Sequence, residues 1–212
     1  MLKQTSSIST CQYMNAPSLK TTISIIYHSG SGHTAEMAHA VAKGAASAGD
    51  VTVMEHEISE ADFNQGRWMN EATLAVLDES DAIIFGSPTY MGGISAQLKS
   101  FMDATSSRYL QRRWVDKIGA AFTVSGLAAG DKLNMLISCA TFAMQHGMIW
   151  TGVAESPVTG EGYNRLGFFF GAAGVALFEP PSEMPCAEDR QTGELLGRRV
   201  ATLAMRLASK AP

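Results

Sequence analysis

The segment Ser29-Gly30-Ser31-Gly32-His33-Thr34 concentrates small, hydroxyl-bearing and amide-exposing residues where an apolar run stops and a helical pattern begins. A loop of this kind aims backbone N–H groups and hydroxyls at one point, the positive end of a helix, where a phosphate binds well. It has no Lys or Arg, and it lacks the Gly-Lys-Ser/Thr ending of an ATP-binding loop. Dipoles and hydroxyls would therefore meet the charge, which suits a nucleotide's single terminal phosphate better than a magnesium triphosphate. Taken alone, the same residues are also ordinary helix caps.

Two further loops have unusual character. In Pro88-Thr89-Tyr90-Met91-Gly92-Gly93, proline stiffens a strand exit, Tyr90 and Met91 offer flat or soft apolar surface, and the two glycines let the main chain approach a ligand closely. A planar heterocycle with polar edges fits such a loop. Ser125-Gly126-Leu127-Ala128-Ala129-Gly130-Asp131 is again small and flexible, with N–H donors for the other edge of a ring system.

The elements that must position these loops alternate strand and helix. Ile23, Ile25, Ile26 and Tyr27 make a first strand, followed by a helix with Met37, Ala38, Val41, Ala42 and Ala45 on one face. A second strand begins at residues 51–54, and a weak helix covers about 71–77. Residues 81–86 and 117–125 read as strands buried on both faces. Helices are expected at about 94–105, 132–146 and 191–208, a fifth strand at 148–151, and an irregular Gly- and Pro-containing segment over 152–185. Five alternations predict an α/β, three-layer fold with a five-stranded parallel sheet. All three loops would then lie at the carboxyl edge, where such sheets bind ligands.

Composition narrows the class. A chain of 212 residues, 46% hydrophobic, forms one globular domain over 21–212, preceded by a polar tail over 1–20 read as mobile. A net charge of −4, with its densest basic cluster only Arg108, Arg112, Arg113 and Lys117, argues against nucleic acid; at most that cluster meets the cofactor phosphate of NADPH. Cys11, Cys139 and Cys186 show neither disulfide nor metal spacing, and His28, His39 and His56 have no metal-site partners, so no metal and a reducing cytoplasm are expected. Residues 166–178 are apolar but shorter than the roughly 20 residues of a bilayer span, so no membrane insertion is expected.

YHSGSGHTAEMAHAVAKGA, DAIIFGSPTYMGGISAQLKSFMDAT, KIGAAFTVSG and HGMIW together resemble the flavodoxin-like NAD(P)H:quinone oxidoreductases of the WrbA family, in order, over about residues 22–152. The resemblance implies non-covalent FMN, strand order 2-1-3-4-5, and a homodimer or homotetramer. By position, Ser29, Ser31, Gly32, His33 and Thr34 would hold the phosphate. Pro88, Thr89, Tyr90, Met91, Gly92 and Gly93 would flank the isoalloxazine, and Ser125, Gly126 and Gly130 would close its other side. His146 matches a histidine near the flavin, and Tyr109, with Trp114 second, matches an aromatic residue reaching a neighbouring subunit's site. By its residues alone, His146 is equally a helix-end cation beside Gly147. The chain departs from the family at Tyr90 and Met91, has a less glycine-rich third loop, and reads as shortened between the second and third strands.

The implied reaction takes two electrons from NADH or NADPH to a quinone in ping-pong order, with His146 and Tyr109 as catalytic residues. The alternatives are a flavodoxin-type single-electron carrier, a flavin-binding regulatory protein, and a reductase of another small acceptor. With 20 acidic against 16 basic residues and no acidic run, the carrier ranks second.

Overall fold

The computed structural model describes residues 20–159 and 162–209. The polar tail lies outside the described residues, except for Lys20. Seven main elements follow the expected alternation: β1 (Thr21–Tyr27), α1 (His33–Ala46), β2 (Val51–Glu57), α2 (Glu71–Glu79), β5 (Ala82–Pro88), α3 (Ala96–Ala104) and β6 (Ile118–Ser125). Two short strands, β3 (Phe63–Asn64) and β4 (Arg67–Trp68), pair as a hairpin in the stretch read as shortened. A short α4 (Ser106–Leu110) follows α3, and α5 (Lys132–Gln145), β7 (Ile149–Trp150), β8 (Ala172–Val175) and α6 (Ala187–Ala208) complete the chain.

The main sheet is parallel, in the order β2-β1-β5-β6-β7, with β8 also paired to β6. This is the 2-1-3-4-5 order, with one correction. The fifth position is shared: Ile149–Trp150 pairs with Ile118–Gly119 at the start of β6, and Ala172–Val175 pairs with Phe122–Ser125 at its end. The second piece reads as loop because three of its four residues, Ala172, Ala173 and Gly174, are types depleted in strands. Its smallness has a packing cause: a Cβ on Gly174 would stand 2.8 Å from Met37 and 3.0 Å from Pro185.

The two-residue period of each strand divides the core between the sheet faces. Ile23, Ile25, Ile84 and Phe122 pack with Met37 and Val41 of α1 and with Leu196 and Val200 of α6. Ile26, Ile83, Phe85 and Ala121 pack on the other face with Leu77, Leu98, Phe101 and Leu136 from α2, α3 and α5. α6 begins four residues earlier than its periodicity suggests, because Glu188 and Asp189 fill its first turn with acids that favour a helix start.

α1 and α6 touch backbone to backbone. A Cβ on Gly197 would stand 1.9 Å from the Val41 carbonyl oxygen, and one on Gly44 would stand 1.9 Å from that of Glu194. Alanine normally favours a helix by about 1 kcal/mol over glycine. Here it would force the helices apart, an overpacking that costs about 1–3 kcal/mol or more. Gly197→Ala is therefore expected to lower stability by about 1–2 kcal/mol net, read as a lower urea midpoint at unchanged slope.

Candidate functional site

All three loops open at the carboxyl edge of β1, β5 and β6. In the first, Gly32 takes φ +90° and turns the chain into α1. Ser29 Oγ accepts hydrogen bonds from the backbone N–H of Gly32 and of Ala35, both 3.1 Å, leaving its own proton free to donate outward. Among the described residues, no protein acceptor meets the N–H groups of His33 and Thr34 at the start of this helix. The donor set is neutral and convergent, as an anion at a helix N-terminus requires.

The His33 ring is occupied elsewhere. Its Nε2 lies 2.7 Å from the Glu179 carbonyl oxygen and must carry the proton, so Nδ1 accepts from the Ser31 hydroxyl at 2.9 Å. His33 thus offers the site its backbone N–H, and Ser31 and the imidazole hold each other.

In the second loop, Ser87 Oγ donates to the Pro88 carbonyl at 2.7 Å and accepts from Ser95 N–H at 3.0 Å, pinning the strand exit to the next helix. Thr89 N–H donates to the Val124 carbonyl, and the Thr89 hydroxyl is paired with Thr123 at 2.7 Å. Tyr90 and Gly93 exchange two backbone hydrogen bonds of 3.0 Å across a two-residue turn in which Met91 (φ 46°) and Gly92 (φ 78°) are both left-handed. Such a turn projects Met91 fully into solvent. Tyr90 leans back over the first loop: a Cβ on Gly30 would stand 2.2 Å from its Oη, so only glycine permits this contact. Asn134 Nδ2 donates to the Gly92 carbonyl at 2.7 Å, tying the turn to α5.

The third loop is closed by a segment that sequence reasoning left irregular. Leu177 fills the space beside Gly126, where a Cβ would stand 2.3 Å from Leu177 Cδ1. Pro181 packs on Gly32, and the Glu179 carboxylate accepts from the N–H groups of Leu177 and Phe178 at 3.0 and 3.1 Å, which holds it below the usual carboxylate range. Arg190 donates to the Pro181 carbonyl at 2.6 Å. Residues 177–181 thus form a strap across the first and third loops. The rigid Glu-Pro-Pro sequence was the only signal for it.

His146 and Tyr109 lie apart from the three loops of their own chain. α5 leaves the third loop at Lys132 and, at about 1.5 Å per residue over 14 residues, runs about 21 Å back along the sheet. His146 caps its far end, next to Ile149, which pairs with the first residue of β6. His146, with the Tyr109 ring 6.0 Å away, therefore lies about a helix length from the third loop. The two residues end a groove of about 870 Å³ between α3 and α5, whose other end is Gly93 and Ile94. Its walls are mostly the sides of these two helices.

His146 is buried, stacked on Trp114 at 4.5 Å and edge-on to Tyr109 at 6.0 Å. Thr105 Oγ1 donates to the Met102 carbonyl and so accepts from His146 Nε2–H at 3.0 Å; Nδ1 is buried without a partner. Burial, with a smaller push from Arg112, drives the imidazole down to about 4, so it is neutral at physiological pH and is no ready proton donor. In the unfolded chain it titrates near 6.5. Its contribution is therefore present above that pH and lost as pH falls through 4. Stability is expected to drop by roughly 2–3 kcal/mol between pH 6.5 and 4 from this group, and His146→Gln is expected to flatten that slope in denaturant titrations.

The basic cluster is committed internally. Arg108 binds Asp78 at 3.2 Å and Glu71 at 3.1 Å, Arg113 reaches Glu79 at 3.4 Å, and Lys117 donates to the Asp78 carbonyl at 2.8 Å. Trp114 Nε1 donates to Asp78 Oδ1 at 2.8 Å. These contacts clamp α2, so three of the four cations are unavailable to a nucleotide phosphate.

A cleft of about 630 Å³, lined by Ser29, Gly30, Glu57, Glu60, Tyr90 and Gln97, adjoins the first loop. The free helix-end donors, the glycine cradles and the absence of a cation in the first loop fit FMN.

Residues 21–150 match the NADPH-dependent FMN reductase family. The chain is 35% identical over 188 residues to flavodoxin FldP of Pseudomonas aeruginosa, covering 86% of this chain and 96% of that protein. It is 35% identical over 198 residues to an NAD(P)H dehydrogenase (quinone) of Archaeoglobus fulgidus, covering 87% and 98%. The crystal structure of the WrbA-like flavodoxin of Agrobacterium tumefaciens superposes with a TM-score of 0.70 at 36% identity, covering 88% of this chain and 99% of that one. The chain belongs to the NADPH-dependent FMN reductase family, flavodoxin-like oxidoreductases that work with FMN and NAD(P)H.

Proposed function

We propose that this chain transfers two electrons from NAD(P)H to a quinone-type acceptor, with donor and acceptor taking turns at one open face of the flavin. The observation that carries the reading is the convergence of three donor-rich loops at one sheet edge, with unpartnered N–H groups on His33 and Thr34. When bound, FMN supplies the hydride and electron chemistry. Ser29, with the N–H groups of Gly32, His33 and Thr34, would hold its phosphate; the Pro88–Gly93 turn and the Ser125–Gly130 loop would hold the ring edges. Ser31 would act through His33, and Thr89 through its main chain, since its hydroxyl is paired with Thr123.

The exposed apolar residues Tyr109, Leu110, Leu133, Ile137 and Met144 beside the α3–α5 groove favour a homodimer or homotetramer. In that assembly Tyr109 would face a neighbour's flavin, with His146 as the ring that positions it. Free Cys139 and Cys186 accord with a reducing cytoplasm.

The test is the absorbance spectrum after adding FMN and desalting, then NADH or NADPH and benzoquinone without oxygen. Retained flavin that bleaches with the nucleotide and recovers with quinone is expected. The flavodoxin among the relatives favours a second reading, an electron carrier. Flavin that ignores NAD(P)H but holds a one-electron state with dithionite would replace the enzyme reading by that one. A monomer in sedimentation would remove Tyr109 and His146 from the site.

A further inference from the structure

Lys132 begins α5 directly behind the third loop, and its side chain is fully buried. A buried ammonium is costly unless its protons are taken up. Its Nζ donates to the carbonyl oxygens of Leu127 and, at 3.3 Å, Ala128. It also lies 3.5 Å from where a Cβ on Gly130 would stand, so glycine leaves it room. The loop it grips, residues 127–129, is otherwise exposed. Two other charges face the ammonium: Asp189 of α6, which favours its proton, and Arg165 of the segment before β8, which disfavours it. An apolar residue would pack at this position without either compensation.

We propose that Lys132 is a positioning residue for the flavin. Its ammonium draws the Leu127 and Ala128 carbonyls inward, so that the loop's amides turn outward, and it places a positive charge beneath the loop that favours reduced flavin, which is the more negative state. This rests on the three-loop FMN reading. Burial pushes the ammonium down to about 8. Its electrostatic contribution is therefore present below pH 8 and fades above it.

The test compares wild type with Lys132→Met and Lys132→Arg. Three quantities are read: amide exchange of residues 126–131 without FMN, FMN affinity, and the midpoint potential of bound FMN from pH 7 to 9.5. Lys132→Met is expected to speed loop exchange and weaken FMN, each by about 10-fold or more. It is also expected to lower the potential at pH 7, with the difference closing by pH 9.5; Lys132→Arg is expected to restore the pH 7 potential. Wild-type exchange and potential in Lys132→Met would overturn the proposal, as would a potential difference that persists unchanged at pH 9.5. Should Lys132→Met fail to fold, the wild-type potential decides: a slope against pH that bends near 8 supports the lysine, and an unbroken slope overturns it. If wild type binds no FMN, the functional reading fails and the redox role with it, while loop exchange still judges the brace.

Discussion

Gly32→Val is expected to abolish retention of FMN on desalting, raising its dissociation constant at least about 100-fold, while the circular dichroism of the fold persists. Gly32 holds φ +90°, a region a β-branched residue cannot occupy without strain of about 1–3 kcal/mol. A Cβ there would also stand 2.8 Å from Pro181. The loop must reorganise, and the N–H groups of His33 and Thr34 would no longer share a focus with Ser29. Hydrogen bonds to a charged phosphate contribute about 1.5–3 kcal/mol each, so losing two already exceeds a 100-fold change. Titration of FMN fluorescence against apoprotein reads the effect. Wild-type affinity in this variant would place the phosphate away from the first loop.

Asp189→Ala is expected to cost about 3 kcal/mol of stability, the largest single loss among the polar contacts. The carboxylate is 1% exposed and takes Arg165 in a two-pronged pair, with Nε and Nη2 both 2.8 Å away. It also accepts from Val175 N–H at 3.0 Å, and its charge favours the proton on Lys132. Removing it leaves an N–H of β8 unmet and a buried ammonium without its counter-charge. Arg165 can turn toward solvent, which keeps the loss at the lower end for a broken buried pair. Asp189→Asn keeps an acceptor for Val175 and is expected to lose about half as much. Guanidinium unfolding of the two variants distinguishes these values; equal stability of wild type and Asp189→Ala would show the cluster to be dispensable.

The three loops were legible because each ends a strand whose apolar run is unmistakable: residues 23–27, 81–86 and 117–125 correspond to β1, β5 and β6. Glycine and serine then break the periodicity where each strand gives way to a loop. β8 was not legible, since Ala172, Ala173 and Gly174 are types depleted in strands, and Gly174 is there for its thinness against Met37 and Pro185. The strap was hidden for a related reason. Leu177 and Glu179 make sense only opposite Gly126 and His33, more than 50 residues away along the chain. The place of Lys132 was not legible, because burial of a lysine has no local signature.

The sequence by itself determined the layered α/β fold and the sheet edge at which the three loops gather, while the strand order came from the family resemblance. Strand and helix periodicities are local, and a parallel crossover returns with one hand. Only the tertiary structure decided which side chains meet there. It spent the His33 ring and three of the four cations of the basic cluster on internal partners, laid residues 177–181 across the loops, and set Lys132 behind them. It also carried His146 a full helix length from the ligand edge. Contacts between distant segments are settled by how the packed layers superpose, and no spacing within one segment encodes that.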